Sequence, residues 1–98
     1  MSAGAAGASI EATILRLLAA RDVQGSICPS EVARALCDDE AGWRALMPTV
    51  RDAAARLVQT QRIAVTQGDR HVRIEEAKGP VRLRRGQSFM PHGLSRDR

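Results

Sequence analysis

The stretch Ile63-Ala64-Val65-Thr66-Gln67-Gly68-Asp69-Arg70-His71-Val72-Arg73-Ile74 decides the fold. Ile63 and Val65 share one side of an extended segment, Gly68-Asp69 is a turn signal, and His71–Ile74 alternates polar with apolar as a half-exposed strand does. A hairpin placed here, behind a set of helices, separates a winged helix-turn-helix from a plain helical bundle. After a loop from Glu75 to Gly79, Pro80 opens another alternating run, Val81-Arg82-Leu83-Arg84, which supplies a third strand.

Upstream the period changes from two to that of a helix. Trp43, Leu46, Met47, Val50, Ala54, Leu57 and Val58 fall within an arc of roughly 100° on a helix running from Trp43 to Gln61, and so predict one buried face. Pro48 interrupts this segment, which implies a bend or a separate first turn. Before it, Pro29 suits the first position of a short helix reaching Leu36 or Cys37, with Glu31 in its first turn and Val32, Ala35 and Leu36 inward. Asp38-Asp39-Glu40 fits a turn or the start of the next helix. Ser9 is placed to cap a first helix from Ile10 to about Ala20, buried through Ile10, Ile14, Leu17 and Leu18. Ser26-Ile27-Cys28 reads as a brief extended segment. The predicted architecture is α+β: a winged helix-turn-helix, with a three-helix bundle and a C-terminal β-hairpin wing. Residues 9–85 form the domain, 1–8 a disordered Gly/Ala/Ser tail, and 86–98 a flexible basic tail.

The core available to this fold is thin. Val, Ile, Leu and Phe make up 21 of 98 residues, and 16 of the remaining apolar residues are Ala, which favours helix but buries little area. One Trp, one Phe and no Tyr give no aromatic platform for unstacked bases. No apolar run approaches the ~18 residues of a membrane span, and the N-terminal residues lack the basic and apolar regions of a secretory signal. Cys28 and Cys37 stand nine apart with no motif partner, which points to reduced thiols in a cytoplasmic protein. Neither they nor His71 and His92 have metal-ligand spacing, so no metal is expected. There is no phosphate loop and no nucleophile elbow, so the sequence reads as a binding module without a cofactor, and not as an enzyme.

Three motifs taken together resemble a known family: Ile27-Cys28-Pro29-Ser30-Glu31-Val32-Ala33-Arg34, then Trp43-Arg44-Ala45-Leu46-Met47-Pro48 with Val50-Arg51, then Gly79-Pro80-Val81-Arg82-Leu83-Arg84. They are similar to a family of short bacterial proteins catalogued as a domain of unknown function and regarded as winged-helix-like. The resemblance covers about Ile10 to Arg84. It implies a winged-helix fold and a bacterial source, and it assigns no catalytic residue and no ligand.

Charge supplies the functional expectation. Residues 1–40 carry 3 basic and 6 acidic groups, residues 41–98 carry 12 and 5, and 14 of the 15 basic residues are Arg. A basic C-terminal half attracts polyanions, and Arg suits phosphate and guanine contacts, although a GC-rich genome also favours Arg over Lys. On the long helix, Arg44 and Arg51 lie within about 20° of each other, with Arg62 in the same direction, Ala55 leaving room for a backbone, and Thr49 within reach of a phosphate or base. On the wing, Arg70, Arg73 and Lys78 cluster near the hairpin tip, and Arg82 and Arg84 share one face of their strand. Double-stranded DNA is the expected partner of these ten residues. The alternative is a protein partner, favoured by Asp52 on the outer helix face and by the lack of a spare dimerisation helix. Cys28, at a helix N-cap, is a weak cap with a secondary reading as a sensitive thiol.

Overall fold

The computed structural model describes residues 3–89. In chain order the elements are α1 (Ala3–Ala19), β1 (Ser26–Ile27), α2 (Pro29–Leu36), α3 (Glu40–Gln59), β2 (Ile63–Gln67), β3 (Arg70–His71) and β4 (Arg82–Arg85). The four strands form one antiparallel sheet in the order β1-β4-β2-β3. The fold is α+β, as the sequence predicts, and its C-terminal strands are consistent with a hairpin wing.

Helix α1 starts earlier than expected. Ser9 lies inside it and is no N-cap; its carbonyl accepts a bond from Thr13 Oγ1 at 2.9 Å. The Ala residues before Ser9 propagate a helix well, so the turn preceding the apolar stripe stays helical. Its buried face is Ile10, Ile14, Leu15 and Leu18, while the expected Leu17 is only half-buried. The helix touches α2, α3 and β1, so its covered arc is shifted from that of a simple two-helix seam.

Helix α2 begins as predicted, with Pro29 at its first position. The Glu31 carboxylate accepts the Cys28 N–H at 2.9 Å, which satisfies the N-cap donor. Val32 and Ala33 are fully buried, but Ala35 and Leu36 are exposed, because this eight-residue helix runs off the core in its last turn.

Helix α3 starts at Glu40, three residues before Trp43. Asp39 caps it by accepting the Gly42 N–H at 2.9 Å, so the acidic run is a helix start. Pro48 lies within the helix, where it denies the Arg44 carbonyl its i+4 donor. Burial divides near this point. Val50, Ala53, Ala54 and Leu57 are in the core, whereas Trp43, Leu46 and Met47 are half-buried and Val58 is exposed. The N-terminal half of α3 therefore reaches past the core beside α2.

Strand β4 lies between β1 and β2. Ile27, Leu83 and Val65 stand side by side across three strands and face the core. The intervening row, Ser26, Arg84 and Ala64, lies on the other face, as does the row Arg82, Thr66 and His71. Gly68 closes the β2–β3 turn at φ 63°. Strand β3 is shorter than the expected His71–Ile74. At Arg73 the chain coils into one helical turn, with the Glu76 and Ala77 N–H groups donating to the Arg73 carbonyl, and this turn drops Ile74 into the core.

Beyond β4, Gly86 N–H donates to Arg62 O and Ser88 N–H to Gln61 O, and Phe89 packs on the core. A Cβ at residue 86 would collide with the Gln61 carbonyl, so this close approach requires glycine. The rest of the expected C-terminal tail, and residues 1 and 2 of the N-terminal one, lie outside the described residues.

Candidate nucleic-acid interface

Thirteen basic and ten acidic side chains lie within residues 3–89. The excess is small, so what matters is which cations keep their charge. Four arginines form ion pairs: Arg21 with Glu31, Arg44 with Glu40, Arg56 with Glu11 and Arg73 with Glu76. Four others, Arg51, Arg82, Arg84 and Arg85, are bonded to neutral acceptors. A carbonyl, hydroxyl or thiol fixes a guanidinium in place without cancelling its charge.

The predicted α3 cluster is dispersed. Arg44 is exposed near the start of the helix, paired at 2.8 Å with Glu40 and set 5.0 Å from the centre of the Trp43 ring. Arg34 of α2 reaches the same ring at 4.6 Å. These two contacts are cation–π in geometry and hold the indole half-buried where the sequence predicts a core residue. Arg51 is half-buried and points its Nη2 at the Ile74 and Ala77 carbonyls, 3.2 Å each, so it ties the Arg73–Ala77 turn to α3. Thr49 and Ala55 are half-buried, and Ala55 lines a cleft between α3 and that turn. Asp52 and Glu75 also line this cleft, over Pro48, Ile74 and Ala77. Arg62 sits half-buried between α3 and β2, away from Arg44 at the other end of the helix.

The predicted wing cluster holds together better. Arg70, Arg73 and Lys78 line one shallow depression with His71 and Glu76. Gln67 closes it, donating from Nε2 to the Lys78 and Pro80 carbonyls at 2.6 and 3.1 Å. Arg73 is paired with Glu76 at 3.7 Å, and Asp69 and Glu75 are close in sequence, so the tip is nearly balanced in charge.

Arg82 and Arg84 form a separate group on the outer sheet face. Arg82 donates from Nε to Ser26 Oγ at 2.9 Å, from Nη1 to Cys28 Sγ at 2.7 Å and from Nη2 to Ser26 O at 3.2 Å. Arg84 donates from Nε to Thr66 Oγ1 at 3.1 Å and from Nη1 to Gln24 O at 3.0 Å. Thr66 is buried beneath it. Arg34 lies outside the ten predicted contacts, as does Arg85, which follows Arg82 and Arg84 in the basic run of the wing. Arg85 carries a readable signal, since it breaks the polar–apolar alternation of β4.

Among the described residues, no three His, Cys, Asp or Glu side chains are placed to hold a metal ion. No helix among them is long and apolar enough to cross a membrane. No curated protein matches the chain. Residues 7–86, from α1 to the end of β4, match the family described as "Protein of unknown function (DUF3253)", and the chain belongs to that family.

Proposed function

We propose that this domain is a winged helix-turn-helix module that binds double-stranded DNA, possessing no catalytic role. In this reading α2 and α3 are the helix pair, and the strands from Ile63 to Arg85 form the wing. One observation carries the reading: four arginines are fixed by neutral acceptors and keep their full charge, while four others are each paired with a carboxylate. Such groups suit a polyanion, because binding does not first require an ion pair to be broken. The test is anisotropy of a labelled random-sequence duplex titrated at low and then rising salt. Binding that weakens steeply with salt supports the reading; its absence at the lowest salt defeats it.

A protein partner is the second reading, and the cleft between α3 and the Arg73–Ala77 turn favours it. Asp52 and Glu75 line that cleft over an apolar floor, and neither forms an ion pair among the described residues. A DNA backbone against α3 would meet those two carboxylates.

A further inference from the structure

Resting on the DNA reading above, we propose that the outer face of the sheet, carrying Arg82 and Arg84, is the surface that meets the phosphates, and that binding is independent of sequence. The strand register makes this face free of acid. Its two rows contain Ser26, Arg84 and Ala64, then Arg82, Thr66 and His71. The one carboxylate linked to this group through bonds is Glu31, and it is already engaged by the Arg21 guanidinium and the Cys28 N–H.

Donor arithmetic leaves room for a ligand. A guanidinium has five N–H donors. Arg82 spends three of them inside the protein and Arg84 spends two, so two and three remain. The spent donors orient both groups in advance, which lowers the ordering cost of binding. Residues two apart on a strand are separated by about 6.8 Å, a step comparable to that between neighbouring phosphates on one DNA strand. Each arginine therefore faces its own phosphate.

The helix offers no rival surface. Arg44 is paired with Glu40, Arg56 with Glu11, and the Arg51 Nη2 is turned to the 73–77 turn, while Asp52 is exposed and has no ion pair among the described residues. Contacts to phosphate carry no base information, so two unrelated duplexes should bind alike.

The test introduces acid on the sheet face without removing the arginines. Ala64→Glu sets a carboxylate directly across from Arg84, and His71→Glu sets one across from Thr66, in the same row as Arg82 and one strand beyond Thr66 from it. An opposite-charge pair across strands supports the sheet, so thermal stability should be kept. DNA affinity should fall about tenfold or more for the double variant, and the slope of log K against log salt should shrink by about two, as for two lost phosphate contacts. Arg84→Gln is the second variant and should lose about half of that slope. Arg44→Gln on α3 should bind as the unaltered protein does. Full binding by the folded Ala64→Glu/His71→Glu protein, loss of binding in Arg44→Gln, or a tenfold preference between two unrelated duplexes would each overturn the proposal while leaving DNA binding intact. No binding by the unaltered protein would remove the DNA reading itself.

Discussion

The Arg85 guanidinium lies 4.7 Å from the centre of the Phe89 ring, and its Nη2 donates to the Leu18, Ala19 and Arg21 carbonyls at 3.3, 3.4 and 2.9 Å. One side chain thus caps the C-terminus of α1, where a cation is favoured by the helix dipole, and stacks on the segment that follows β4. The C-terminal residues up to Phe89 belong to the fold, and the expected end of the ordered domain at Arg85 moves outward.

Ending the chain at Arg85 should therefore destabilise it. It removes the Gly86 and Ser88 backbone bonds and uncovers Arg85. A loss of about 1–3 kcal/mol is expected, which in a domain of this size lowers Tm by roughly 5–20 °C. A chain ending at Phe89 keeps these contacts and should melt above the one ending at Arg85. Calorimetry of the two truncations checks this, and equal melting would show that Phe89 adds nothing.

Trp43 should matter less than its size suggests. It is half-buried beside Arg34 and Arg44, while Leu57 is only 2% exposed. Trp43→Ala should cost about 1–2 kcal/mol and Leu57→Ala about 2–5 kcal/mol. Urea unfolding by circular dichroism compares them. The order would be wrong if Trp43→Ala were the costlier change. Arg34→Gln should also shift the Trp43 emission spectrum without unfolding the domain.

Gly42 is fixed by its neighbour. A Cβ there would overlap the Cys37 sulfur. Gly42→Ala should destabilise by about 1–3 kcal/mol despite the better helix propensity of Ala. Cys37→Ala in the same chain should restore most of that loss. A double-mutant cycle measures the coupling, and additive effects would contradict the contact.

Arg51 should act on the 73–77 turn before it acts on any ligand. Arg51→Met keeps the aliphatic stem over the core but leaves the Ile74 and Ala77 carbonyls without this donor. The expected cost is about 1–2 kcal/mol. Hydrogen exchange should accelerate at the Glu76 and Ala77 amides, which depend on that turn, while amides in β2 and β4 stay protected. Uniform acceleration through the sheet would argue that Arg51 supports the whole domain.

Much of the fold was legible in the sequence because its signals are local. The period of Ile10, Ile14 and Leu18, Pro29 at a helix start, the Gly68-Asp69 turn and the alternation through Val81–Arg84 each depend on neighbours a few residues away. They placed three helices before a hairpin and a third strand, and they put Arg82 and Arg84 on one face. Local periodicity has no term for where a helix leaves the core, so it overestimated the burial of Leu36, Trp43 and Val58. It also could not see Gln61, Arg62 and Gly86 meeting, which anchors Phe89. The site was legible as a set of basic residues and no further. Which of them keep their charge depends on partners distant in the chain: Glu11 for Arg56, Ile74 and Ala77 for Arg51, Ser26 and Cys28 for Arg82, and Gln24 with Thr66 for Arg84. The sequence determined the elements and the overall charge, since both follow from residue type and spacing. Only the tertiary structure decided which arginines are neutralised, because hydrogen bonding and Coulomb attraction act through space over a few ångströms, whatever the separation along the chain.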